Sequence, residues 1–215
     1  VPGWTPSGGS AGEILASCGA LGLIDDCEDN NNQGKVLEGR GGYWYSFADP
    51  SGTTVEPEAG GTFTMSPGGS NGSKHAARAH GQVGYGEIAY GGMGVNLLDP
   101  KGPYDASRYK GISFWAKKGP DSHGRVRFKV PDISTDEDAG VCTNCSNDFG
   151  AEITLYEGWE HFVFPWRKLK QLPDWGSPRP HGIKPHKLMS VQWQASIKGA
   201  VFDIWVDDVE LVGCE

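Results

Sequence analysis

The stretch from Pro131 to Gly150, PDISTDEDAGVCTNCSNDFG, gathers most of the side chains in this 215-residue chain that could do chemistry. Asp132, Asp136, Glu137, Asp138 and Asp148 lie in it, Glu152 follows, and Cys142 and Cys145 stand in C-x-x-C spacing. Cleavage of a sugar polymer needs two carboxyl groups about 5 to 10 Å apart across the scissile bond. Asp132 and Asp148 are the pair such a reaction would use here. The acidic run also reads as an exposed turn or a site for a hard cation, because crowded like charges favour water or a counter-ion. The C-x-x-C spacing suits a redox pair, half of a zinc site or a tight disulfide loop. No βαβ pattern surrounds it and no second C-x-x-C follows, so a local Cys142–Cys145 disulfide is expected. The six histidines form no H-E-x-x-H, and no G-x-S-x-G elbow is present, which leaves metalloprotease and serine-hydrolase chemistry without their signatures.

The elements that must position these residues are strands. LGLIDDCE, GYWYSFAD, GTFTMS, HAARAHGQ, GISFWAKK, RVRFKVPD, AEITLY, EHFVFPW, MSVQWQAS and AVFDIWVDDVELVG are short, β-branched or aromatic, and bounded by Gly, Pro, Asn or Asp. About ten strands, with no amphipathic helix between them, predict an all-β sandwich, an antiparallel jelly roll. The 33 glycines and 14 prolines agree with many turns. Residues 1–14 read as a linker or draped arm, and 15–215 as a single domain.

Alternation assigns faces. Val126, Phe128 and Val130 share one side of their strand, which puts Arg127 and Lys129 on the other. Val191 and Trp193 likewise oppose Gln192 and Gln194, while Phe202, Ile204 and Val206 look inward. Amides and guanidinium groups recurring on a polar face suit paired hydrogen bonds to adjacent sugar hydroxyls. Aromatic rings would complete such a surface, since the C–H face of a pyranose packs on a flat ring.

A net charge of -8 repels a nucleic-acid backbone, and no apolar run approaches the roughly 18 residues of a membrane span. The chain opens on Val1 rather than Met, as expected after removal of a signal peptide or trimming. Five cysteines point to an oxidising compartment, with two disulfides and one thiol left over. The expectation is a secreted monomer, tethered to other modules.

LIDDCE, YKGISFWAKK, GWEHFVFPWRKLKQ and FDIWVDDVELVG, in that order over residues 21 to 213, resemble family 11 carbohydrate-binding modules and relatives with a galactose-binding-like jelly roll. PDISTDEDAGVCTNCSNDFG with GGYWYSFADPSGTT resembles a group of bacterial secreted carbohydrate-binding domains in which Asp-His usually precedes F-G; Asn147 and Asp148 stand there instead. The resemblance implies a structural calcium joining the first and last strands, with Asp26, Glu28 and Asp207 as ligands. Carboxylates crowded onto neighbouring strands call for such a hard cation on physical grounds too. If those strands are antiparallel neighbours, Cys18 and Cys214 meet at one edge as a disulfide, and Cys27, where the family has a Phe, is a buried thiol. The match also places Tyr45 in an early binding strand and Trp175, with Asp174 and Lys170, in a loop at the groove edge. Tyr43, Tyr85 and Tyr90 are further aromatic candidates.

These readings combine into a non-catalytic module that binds a β-glucan or related plant or algal polysaccharide, as part of a secreted carbohydrate-active protein. The alternative is a small glycoside hydrolase on the same sandwich, with Asp132 and Asp148 as acid and base.

Overall fold

The computed structural model describes residues 15–214; the expected N-terminal arm lies outside the described residues. The β-branched and aromatic runs form strands, and every strand pair is antiparallel. The described residues form twelve strands: β1 (Leu23–Asp25), β2 (Trp44–Ala48), β3 (Thr54–Glu56), β4 (Ser66–Pro67), β5 (His75–Gln82), β6 (Gly91–Asn96), β7 (Gly111–Lys118), β8 (Arg125–Val130), β9 (Phe149–Thr154), β10 (Glu160–Pro165), β11 (Ser190–Ala195) and β12 (Val201–Val212). One sheet runs β10-β7-β12-β5-β3, with β1 added to β12 and β4 to β5; the other runs β2-β6-β11-β8-β9. Among the described residues the only helices are single 3-10 turns, and none is long and apolar enough to cross a membrane.

The two sheets close on the faces that alternation assigns to the core. Trp193 of β11 is fully buried, stacked 5.8 Å from Trp44 of β2 and edge-on at 5.1 Å to Phe114 of β7 in the opposite sheet. Phe114 packs 4.7 Å from Phe128 of β8. Rings in offset and edge-to-face contact add about 0.5–1.5 kcal/mol per pair beyond their buried area. Met93, Val95, Val126, Ile204 and Val206 fill the space around them.

The twelve-residue β12 organises the chain ends. On one side it pairs with β7 from Ile204 to Val212; on the other Val201–Val206 pair with β5, and Val209 and Glu210 with β1. A bulge between Asp207 and Glu210 marks the change, and Asp208 there has a left-handed φ of 47°. The expected pairing of first and last strands is thus present, and Cys18–Cys214 closes it with Cα atoms 5.8 Å apart. Cys142–Cys145 forms the second disulfide, and Cys27 is a buried free thiol. The first bridge spans 196 residues and the second three. On loop entropy alone they contribute about 5 and about 2 kcal/mol.

The expected strand GTFTMS shrinks to the two residues of β4, because Phe63 and Met65 enter the core from irregular chain. Two strands were not expected from the sequence. β3 is three residues long, and β6, GGMGVN, has the glycine content of a loop.

Protein denatured without reductant should show one titratable thiol, Cys27; three would contradict one of the bridges, and five would contradict both. Burial raises Asp25 to about 6, against a hydrogen bond from Trp44 Nε1, and raises Asp207 to about 7, against one from Ser70 N. Both folded values exceed the unfolded one. In protein stripped of divalent cations, their contribution to stability is therefore full below about pH 4 and lost as pH rises through 6 and 7. Chemical denaturation across pH 4–8 measures the slope, and Asp25→Asn with Asp207→Asn should flatten it.

Candidate functional site

The outer face of the five-stranded sheet carries two rows of side chains at right angles to the strands. Register aligns Tyr45, Gly94, Gln192, Lys129 and Gly150 in one row, and Phe47, Gly92, Gln194, Arg127 and Glu152 in the next. Each row begins with an aromatic ring, crosses a bare glycine, and reaches a carboxamide and then a cation before its last position on β9. The glycines are required by space: a Cβ on Gly94 would lie 2.8 Å from Tyr45 Oη and 2.9 Å from Gln192 Cγ, and one on Gly92 would fall 2.0 Å from Trp193 O. Bare β6 lets Tyr45 and Phe47 lean over the sheet towards the glutamines. The result is the floor of a groove of about 490 Å³.

Polar contacts hold this floor in place. Gln192 Nε2 donates to Tyr45 Oη at 2.8 Å, and burial raises the Tyr45 hydroxyl above its usual pKa despite that bond. Lys129 Nζ donates to Gln194 Oε1 at 3.1 Å and pairs with Asp148 at 2.7 Å; both members of the ion pair are buried. Asp148 Oδ1 is buried with no hydrogen-bond partner. Arg127 Nη2 donates to the carbonyls of Asp148 (3.1 Å) and Lys170 (2.8 Å), and burial lowers its pKa. Lys101 spans Asp136 and Asp138 at 2.7 Å each. Burial works against that ammonium, but the two carboxylates raise its pKa overall. Every cation of the groove faces a carboxylate.

Phe47 continues to Tyr90 at 6.1 Å, so three rings line one end. At the other end the loop from Asp136 to Asp148 and the turn at Leu172–Ser177 form the wall, with Trp175 39 % exposed. Asn147 ties the two together. Its Nδ2 donates to the carbonyls of Leu172 (2.9 Å) and Trp175 (2.7 Å), and its Oδ1 accepts from Leu172 N (2.8 Å).

Of the eleven expected ligand residues, the structure brings Tyr45, Tyr90, Arg127, Lys129, Trp175, Gln192 and Gln194 into one groove. Tyr43 and Tyr85 are exposed outside it; the Tyr85 ring packs on Gly199 in the turn before β12. Asp174 is exposed beside the groove, and Lys170 lines a separate depression with Arg179. Phe47, Lys101, Asp136 and Asn147 line the groove without having been expected to. Phe47 could have been found from its two-residue spacing to Tyr45. Of the pair Asp132 and Asp148 expected for a hydrolase, Asp148 lines the groove and Asp132 does not. Asp132 is buried below the wall, accepting from Ser134 N (2.7 Å) and Lys184 N (2.8 Å), and burial raises its pKa.

The expected calcium ligands separate into two groups. Glu28 Oε1 accepts from the backbone of Lys74 (2.6 Å) and His75 (2.9 Å), while Asp207 Oδ2 accepts from Ser70 N at 2.7 Å, so both grip the loop between β4 and β5. Asp208 joins them through Ser70 Oγ. Asp26 instead pairs with Lys35 at 2.7 Å. Among the described residues no three Asp, Glu, His or Cys side chains are arranged as a ready metal cluster.

No protein-family model matches the sequence, and no curated protein sequence does either. Solved structures match it. A family 11 carbohydrate-binding module from Clostridium thermocellum, in complex with a β-1,3-1,4-mixed-linked tetrasaccharide, gives a TM-score of 0.60 over 90 % of this chain and 95 % of that one, at 18 % identity. The chain has the fold of a carbohydrate-binding module. The family 30 module of a cellulosomal cellulase of the same organism gives 0.55 over 87 % and 94 % of the two chains, at 14 % identity. An exo-β-agarase gives 0.51 at 10 % identity over 90 % of this chain but 25 % of its own length. At these identities the carbohydrate-binding-module likeness is one of architecture, and the groove residues stand on their own geometry.

Breaking the buried pair from one side leaves a charge stranded. Lys129→Ala should cost about 3–5 kcal/mol in denaturant unfolding, whereas Lys129→Met combined with Asp148→Leu should recover most of the loss. Equal losses in the two variants would show the pair to be solvated.

Proposed function

We propose that this chain is a non-catalytic module that binds a neutral β-glucan or related plant or algal polysaccharide in the groove, within a secreted carbohydrate-active protein. The observation that carries this reading is the pair of rows across the five-stranded sheet, with rings at one end and carboxamides beside them. Rings take the C–H faces of pyranoses and release water from both surfaces. Gln192 and Gln194, half-buried and fixed by Tyr45 and Lys129, are pre-oriented to exchange hydrogen bonds with hydroxyls. The groove's cations are each matched by carboxylates, which supports an uncharged ligand. The complex of the family 11 module with a mixed-linked tetrasaccharide supports the same ligand class. Two disulfides, and the likeness to modules of cellulosomal enzymes, are consistent with an extracellular setting.

A structural calcium between the first and last strands is a second part of the proposal. Glu28, Asp207 and Asp208 supply hard oxygen ligands against one loop, that between β4 and β5, and Asp26 would join them by leaving Lys35. A cation there would replace hydrogen bonds that these carboxylates now make to the loop between β4 and β5. EDTA should lower the Tm and added calcium restore it, with glycan affinity little changed. An unchanged Tm would remove calcium from this account.

Affinity electrophoresis on a panel of soluble β-glucans, beside a reducing-end assay on the same panel, tests the function. Retardation without new reducing ends is expected; new reducing ends would make the protein an enzyme. Trp175→Ala should weaken binding about tenfold or more, the value of a stacking surface of roughly 1–3 kcal/mol, and leave the Tm nearly unmoved. Tyr45 is half-buried and bonded to Gln192, so Trp175 is the cleaner probe. Trp193→Ala should do the reverse, opening a core cavity at about 3–5 kcal/mol.

A further inference from the structure

The Cys142–Cys145 bridge constrains the unfolded chain less than Cys18–Cys214 does, and it lies in the groove wall, where Asn144, Cys145, Ser146 and Asn147 all line the cavity. On its outer side the bridge is seated on the preceding turn: Cys142 Sγ lies 3.5 and 3.4 Å from the carbonyl oxygens of Thr135 and Asp136, and Ser146 N donates to Thr135 O at 2.8 Å. On its inner side it meets the Trp175 turn. Thr143 N donates to Ser177 O (2.9 Å), Ser177 N donates to Asn144 O (3.0 Å), and Asn147 holds Leu172 and Trp175 O as described.

Both facing loops hold backbone conformations that most residues avoid. Ser146 and Asp174 each have a φ of 69°, in the left-handed region without being glycine. Gly176, with a φ of 90°, lets the turn press against Asn147; a Cβ there would come within 2.8 Å of Asn147 Cβ. A chain free at residues 142–145 would relax from this arrangement. The crosslink keeps Asn144 and Asn147 in register with the turn they hold.

We infer that the Cys142–Cys145 disulfide is a positioning element that sets Trp175 in the groove wall, so that losing the bridge costs as much glycan affinity as losing the indole. The inference rests on the reading of the groove as a glycan site, and its test separates the two.

The test compares Cys142→Ser/Cys145→Ser with Cys18→Ser/Cys214→Ser, using amide hydrogen exchange and affinity for a soluble mixed-linked β-glucan. Exchange at Leu172 and Ser177 should speed up about tenfold or more in the first variant and not in the second, while amides of β8 and β11 hold their rates. Glucan affinity should fall about tenfold in the first variant, and adding Trp175→Ala should lower it by no more than about twofold further, because coupled residues lose the same interaction once. The first variant's Tm should fall less than the second's. Gly176→Ala, which keeps the bridge but breaks the docking, should reproduce the faster exchange and the weaker binding. Unchanged exchange at Leu172 and Ser177, retained affinity, or losses that multiply to about a hundredfold would each overturn the inference. If the wild-type protein binds no β-glucan, the proposed function fails, and the exchange measurement still decides whether the bridge positions the turn.

Discussion

Two-residue alternation in a sheet buried on one face is the constraint on which the groove depends. Trp193 sits fully buried between the sheets, and that fixes Gln192 and Gln194 on the opposite side of β11. The same rule acts on β8, where Phe128 in the core sends Arg127 and Lys129 outward, and on β2, where buried Trp44 sends Tyr45 outward. A slip of one residue in β11 would bury two amides and expose an indole, and one in β8 would turn two cations into the core and expose Phe128. The packing of Trp193 on Trp44, Phe114 and Phe128 therefore stabilises the fold and also orders the polar face.

The second constraint is charge. A groove with three cations and four carboxylates in its lining is useful for a neutral ligand only if those charges satisfy one another. Lys129 with Asp148 and Lys101 with Asp136 and Asp138 do so directly, and Arg127 spends its donors on backbone carbonyls as well as Glu152. This network makes the polar half of the floor rigid, which lowers the ordering cost of binding. The unpartnered Asp148 Oδ1 is the one buried acceptor it leaves along the groove.

Strands rich in β-branched and aromatic residues were legible in the sequence because burial dictates their composition, and their face assignments followed from spacing alone. β6 was not legible: its Gly91, Gly92 and Gly94 read as a loop, although they are there because neighbouring side chains and backbones occupy the space of a Cβ. The wall of the groove was hidden for another reason. Asn147 acts on Leu172 and Trp175 across some twenty-five residues of sequence, and no local pattern announces such a contact. Tyr43 and Tyr85 show the limit of reading aromatic residues without register, since each is exposed outside the groove. Asp132 shows the same limit for carboxylates: its neighbours in the sequence suggested chemistry, and its fold position makes it a brace for two loops.

The central claim is that glycan binds on the outer face of the five-stranded sheet. The most direct test is a nitrogen-15 NMR titration with a mixed-linked β-glucan tetrasaccharide, following the side-chain amides of Gln192 and Gln194 and the indole N–H groups. The account predicts shifts at Gln192, Gln194 and Trp175, with Trp115 and Trp205 on the other sheet unmoved. Shifts confined to Trp115 and Trp205, with Gln192 and Gln194 silent, would contradict it.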